Sequence, residues 1–162
     1  MARRAIQGKI SNPQANKLRI ATIRDEQTSG TGGGTSATSY STRTLNTLSD
    51  PDDIGVTLSS NEFTLPSGEY WITATLYGFG AITMKSKLRR DPSGSPTDEI
   101  IGIVAENSST SILNVVEGRV SVTTSETFDL QTRSDAVNGS GHGLAATFGD
   151  AEVYVALNII RL

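Results

Sequence analysis

The closing twelve residues, Ala151 to Leu162, read AEVYVALNIIRL, and their pattern decides the fold. Side chains alternate across a strand, so Val153, Val155, Leu157 and Ile159 fall on one side and Tyr154, Ala156 and Ile160 on the other, where Asn158 alone interrupts. A sandwich core covers only one face of an antiparallel sheet. The second apolar face therefore calls for cover by another subunit, and Tyr154, Ala156 and Ile160 are the residues expected there.

The same period of two recurs upstream. Residues 69–79 (EYWITATLYGF) place Tyr70, Ile72, Ala74 and Leu76 on one face and Trp71, Thr73, Thr75 and Tyr77 on the other. Residues 82–90 (ITMKSKLRR) put Ile82, Met84, Ser86 and Leu88 inward and Thr83, Lys85, Lys87 and Arg89 outward, the pattern of a half-exposed strand. Shorter alternating runs occupy 17–24, 41–48, 56–58, 62–65, 99–106, 113–123, 126–134 and 144–148. Turn chemistry separates them: Asp50-Pro51-Asp52-Asp53, Pro66-Ser67-Gly68, the loop 91–96 and the glycine-rich stretch 135–143. No window carries a 3.6-residue apolar period. About ten short strands without a helix predict an all-β protein, an antiparallel jelly-roll sandwich.

The chain has 162 residues, enough for one well-buried core, with 36% hydrophobic and 19% charged residues and no cysteine. A disulfide framework, a thiolate metal site and a cysteine nucleophile are thereby excluded. The net charge of -3 hides an asymmetry. Arg3, Arg4, Lys9, Lys17 and Arg19 all lie in the first nineteen residues, which hold no acid, so the rest carries -8. Residues 1–16 (MARRAIQGKISNPQAN) read as a basic extended arm, with Pro13 closing any helix, ahead of a domain at 17–162. The arm lacks the apolar core of a secretory signal, and no apolar run approaches the roughly 20 residues that span a bilayer. A soluble product made in a cytoplasm, without membrane partners, is expected.

Catalytic and ligand-binding patterns are weak. His142 is the single histidine and sits between glycines, where neither a carboxylate nor a nucleophile is preorganised; a solvated loop residue is expected. Asp50, Asp52 and Asp53 are the densest carboxylates but lack an EF-hand pattern, and read as turn residues. The loop 25–39 (DEQTSGTGGGTSATS) has no lysine after its glycines and opens no helix, so it fails as a phosphate cradle and reads as flexible. Without aromatic residues for base stacking, the arm is expected to meet an acidic protein surface rather than nucleic acid. No cofactor, metal or catalytic residue is expected, and the chain reads as a non-enzyme.

Several landmarks occur in a telling order: DEQTSGTGGGTSATS at 25–39, STRTLNTL at 41–48, TLPSGEYWI at 64–72, FDLQTR at 128–133 and GDAEVYVALNI at 149–159. In this order the chain resembles the tumour-necrosis-factor-like and complement-globular-head-like jelly rolls of tailed-bacteriophage virion proteins, over about 17–162. The resemblance implies a ten-stranded jelly roll forming a homotrimer, with Tyr154, Ala156 and Ile160 at the threefold interface. It also implies a place in the virion as a head decoration or cement protein, a head fibre, or a tail-fibre or tail-tip knob. No coiled-coil heptad precedes the first strand, which favours decoration. Docking onto a major capsid protein or another virion protein then falls to Arg3, Arg4, Ile6, Lys9 and Ile10. The alternative is a tip that binds a host receptor or glycan through loops 25–39, 91–98 and 135–143.

Overall fold

The computed structural model describes residues 17–80, 83–106 and 111–162. The arm, with Arg3, Arg4, Ile6, Lys9 and Ile10, lies outside the described residues, as does Ile82. Eleven strands are present among those described: β1 (Arg19–Gln27), β2 (Ser41–Thr42), β3 (Thr47–Ser49), β4 (Thr57–Ser59), β5 (Glu62–Leu65), β6 (Gly68–Phe79), β7 (Thr83–Arg90), β8 (Thr97–Glu106), β9 (Ser111–Val122), β10 (Glu126–Ser134) and β11 (Glu152–Arg161). They form two antiparallel sheets, β3-β1-β11-β6-β9 and β4-β5-β10-β7-β8, with β2 added to β10 beside β5. This is the jelly roll expected from the alternation.

The core lies between the sheets, and the alternating residues fill it as their pattern requires. Tyr70, Ile72, Ala74 and Leu76 of β6 are wholly buried, and so are Leu157 and Ile159 of β11 and Leu88 of β7. Phe63 and Phe128, paired across β5 and β10, stack with ring centroids 5.6 Å apart. Such burial contributes roughly 1.5–3 kcal/mol for each large side chain.

Four expectations are corrected. Residues 144–148 form no strand. The run 41–48 splits, β2 joining one sheet and β3 the other, with the buried residues Arg43 and Leu45 in the crossing. The segment 25–39 is neither an open loop nor free of buried residues. Asp25 to Gln27 continue β1, while Gly33 and Ser36 are buried beneath neighbouring loops. His142, far from solvated, is 5% exposed.

The loops sort to two ends. Gly33 N–H donates to Gly143 O at 3.0 Å, Ser36 N–H to Asn138 O at 3.0 Å and His142 N–H to Gly34 O at 2.9 Å, so the loops after β1 and β10 knit together at one end. The loop 91–98 follows the far end of β7, where Asp91 N–H donates to Thr127 O at 2.8 Å. Lys17 stands at that same far end, ion-paired with Asp52. The three loops expected to form one binding tip are therefore divided between opposite ends. Asp50 works as turn chemistry requires: its carboxylate accepts from the N–H groups of Ile54, Gly55 and Val56 at 2.9, 3.0 and 3.2 Å.

Candidate assembly surface

Strand pairing sets out the outward face of the sheet β3-β1-β11-β6-β9 in rows. One row runs Arg119, Trp71, Ile160, Ile20; the next Glu117, Thr73, Asn158, Thr22; the next Val115, Thr75, Ala156, Arg24. Ala156 and Ile160 thus lie on this face as the alternation requires, both half-buried. Trp71 is 39% exposed, and its indole N–H donates to Glu117 Oε1 at 3.0 Å. Thr22 Oγ1 donates to Asn158 Oδ1 at 3.2 Å. The middle row is wholly polar, while the rows beside it carry the apolar residues Trp71, Ile160 and Ile20 and Val115 and Ala156, with Arg119 and Arg24 at their ends.

Tyr154 does not share that face. The pairing of β1 with β11 passes from Asp25↔Val155 to Glu26↔Val153, leaving Tyr154 as the extra residue of a β-bulge. A bulge reverses the facing of every residue beyond it. Tyr154 is consequently only 6% exposed, while Val153 emerges at 44%. The Tyr154 hydroxyl meets the carboxylate of Glu152 and lies within hydrogen-bond distance of Thr31 O, at 3.1 Å, and Leu144 O, at 3.2 Å. Burial first, and then this carboxylate, push its phenol well above the usual range.

Glu152 ties the loops of this end together. Its Oε1 accepts from Gly30 N–H at 2.9 Å and Thr147 N–H at 2.8 Å, and its Oε2 from Ala146 N–H at 3.0 Å. The Gly30 bond, the Tyr154 hydroxyl and the other amides hold its carboxyl down at about 2. Beside it Tyr77, Leu144, Phe148, Val153 and Tyr154 line an open, largely apolar cleft of about 330 Å³, with Phe148 87% exposed.

Below this cleft lies a buried polar cluster that alternation does not reveal. Arg43 is wholly buried, and its guanidinium donates to Tyr77 O at 3.1 Å, His142 O at 3.0 Å and Tyr154 O at 3.4 Å. Burial brings Arg43 down to about 10 against the opposing pull of Asp25. Burial likewise raises the carboxyl of Asp25, which Gln27 Nε2 contacts at 2.6 Å. His142 is lowered to about 3, by burial and then by Arg43, so its imidazole is neutral. No group of three or more histidine, cysteine, aspartate or glutamate side chains able to hold a metal occurs among the described residues.

A second apolar region lies along the adjoining edges of the two sheets. Ile101, Ile103 and Val104 of β8 and Leu113 of β9 are 60%, 68%, 52% and 66% exposed. Gly102 lets the backbones approach here, since a Cβ would overlap Val115 O, Ser86 O and Val116 Cγ2. Sequence reasoning singled out neither this edge nor Val153; isoleucines at both 101 and 103 of one strand were the available signal.

No protein-family model matches the chain, and no curated protein matches it. Solved structures do. Three crystal structures of murine APRIL, at pH 8.0, 8.5 and 5.0, superpose with TM-scores of 0.51, 0.52 and 0.54 at 12%, 12% and 11% identity. Each comparison covers 90% of this chain and 100% of the other. At that identity the likeness concerns the backbone, and the chain has the fold of a tumour-necrosis-factor-like jelly roll.

Proposed function

We propose that this chain is a non-enzymatic, homotrimeric structural protein of a tailed-bacteriophage virion, a head decoration, cement or head-fibre protein attached through residues 1–16. The observation that carries the assembly reading is a pair of unlike apolar surfaces on one subunit. The outward face of β11 and β6, with Val153, Ala156, Ile160 and Trp71, is one; the β8–β9 edge, with Ile101, Ile103 and Leu113, is the other. A head-to-tail contact between unlike patches closes into a ring when the rotation permits. A specific interface of about 800 Å² per partner is within the reach of two such surfaces. The virion assignment rests on the ordered motifs described above, and the TNF-like fold is the one those motifs call for.

Attachment by the basic arm suits an acidic capsid-protein surface, and three arms on one trimer act multivalently, so weak single contacts add up to firm attachment. Lys17 marks the end of the domain from which the arm departs, leaving the knitted loops at the opposite end. Deleting residues 2–16 tests this reading. Intact trimers that no longer occupy the particle support it; unchanged incorporation overturns the docking role, and a monomeric wild-type chain in sedimentation overturns the assembly role.

A further inference from the structure

The outward face of the second sheet holds a cationic cleft that the assembly reading does not use. Along β7 the outward cations are Lys85, Lys87 and Arg89. Two are matched by acids: Arg89 pairs with Asp129 through bonds of 2.9 and 2.8 Å, and Lys87 pairs with Asp98. Lys85 is different. The register sets it directly opposite Arg133 of β10 and, on its other side, opposite Val104 of β8. Neither Lys85 nor Arg133 has an ion pair among the described residues. Like charges facing each other across a ladder are destabilising, and here they stand on an otherwise acidic body.

The surroundings form a concave site. Tyr40, Thr83, Lys85, Val104, Arg133 and Ser134 line a cleft of about 460 Å³, together with Asp135, whose Oδ1 accepts from Thr83 N–H at 3.2 Å. Lys87 Nζ lies 4.3 Å from the Tyr40 ring centroid and Arg133 Cζ lies 5.8 Å from it, holding the ring as a wall. The volume is that of a small-ligand site. An extended peptide cannot enter by strand addition, because β7 lies between β10 and β8, and β10 between β7 and the pair β2 and β5. Two cations, one aromatic ring and one exposed valine stand there with the single carboxylate of Asp135, which Thr83 N–H engages, and a compact anion with an apolar flank matches this lining.

We infer that this cleft binds the carboxylate of an acidic sugar, with Lys85 and Arg133 on the carboxylate and Tyr40 and Val104 against the pyranose ring. Arg133 supplies the planar fork suited to a carboxylate. The site lies at the end carrying the knitted loops, since Thr83 O accepts from Asp135 N–H at 3.1 Å, and so faces away from Lys17.

Titration of the full-length protein with trigalacturonate, maltotriose, triglutamate and inorganic sulfate, followed by calorimetry, tests the inference. Trigalacturonate is expected to bind, more weakly as salt rises, and at least tenfold more tightly than the other three. Arg133→Gln and Lys85→Met should each weaken it tenfold or more, while Lys85→Met leaves the melting temperature unchanged or higher as the repulsion is relieved. No trigalacturonate binding, equal binding of maltotriose, triglutamate or sulfate, or wild-type affinity in both variants overturns it. Trimer formation is read separately by sedimentation, so failure here leaves the assembly reading standing.

Discussion

Arg43 donates from a wholly buried guanidinium to the carbonyl oxygen of His142 at 3.0 Å, joining segments 99 residues apart. The bond fastens the crossing between β2 and β3 to the loop after β10, and further bonds to Tyr77 O and Tyr154 O secure β6 and β11 to the same point. One cation thereby organises the loop end of the sandwich.

Arg43→Met is expected to strand three carbonyl groups and to remove the cation whose field favours the Asp25 carboxylate, costing about 3 kcal/mol, the scale of leaving buried acceptors without a donor. Equilibrium denaturation in urea measures it. Adding Asp25→Asn removes the abandoned charge and should restore part of the loss, whereas a purely additive double variant would show that Asp25 and Arg43 act independently.

His142 gives the protein a distinct acid limb. Its folded pKa of about 3 lies below the ordinary 6.5, so between these values the unfolded chain binds a proton that the native state refuses. Stability from this group is complete above pH 6.5 and declines as pH falls toward 3. His142→Asn should flatten the stability profile across that window, as read from denaturation midpoints at pH 7, 5.5 and 4.5; an unchanged slope would mean that His142 does not titrate there.

Glu152 acts on the loops rather than the core. Glu152→Gln is expected to speed hydrogen exchange at the amides of Gly30, Ala146 and Thr147 while leaving β6 and β10 protected. Because its carboxyl is held near 2, the same loosening should appear in the wild type only as pH drops below about 4, when the ionised form begins to be lost.

Gly143 has φ of +148° and faces Tyr154 so closely that a Cβ would overlap the ring. Gly143→Ala should displace Tyr154 from beneath its loop at a cost of about 1–3 kcal/mol. A fall in melting temperature, with altered Tyr154 ring signals in NMR, is the expected readout.

Ile103→Asp and Ala156→Arg test the proposed trimer from the two surfaces assigned to it. Ile103 is 68% exposed, so its substitution should change subunit stability by no more than about 0.5 kcal/mol while converting trimers to monomers in sedimentation. Ala156→Arg should do the same from the opposite surface. Trimers that persist in both variants would place the interface elsewhere.

Much of the fold was legible because β6 alternates along its twelve residues and β11 from Val155 onward, and alternation follows directly from strand geometry. It failed at Tyr154 because a bulge inserts one residue without a mark in composition, exchanging Val153 for Tyr154 on the outward side. The burial of Arg43, Asp25 and His142 was hidden for another reason: it depends on loops that converge from positions about a hundred residues apart. Their glycines were read as flexibility, yet Gly33 and Gly143 are small so that the Tyr154 ring and the His142 backbone can come close. The facing of Lys85 and Arg133 required the β7–β10 register, which two separate strands in a sequence do not disclose.

The division of the loops between two ends gives the domain the character of a spacer. The twelve residues of β6 run from the Lys17 end to the knitted loops, a distance of roughly 40 Å at strand rise. Residues at one end can therefore change without altering the contacts made at the other, so the two ends of one scaffold can vary independently.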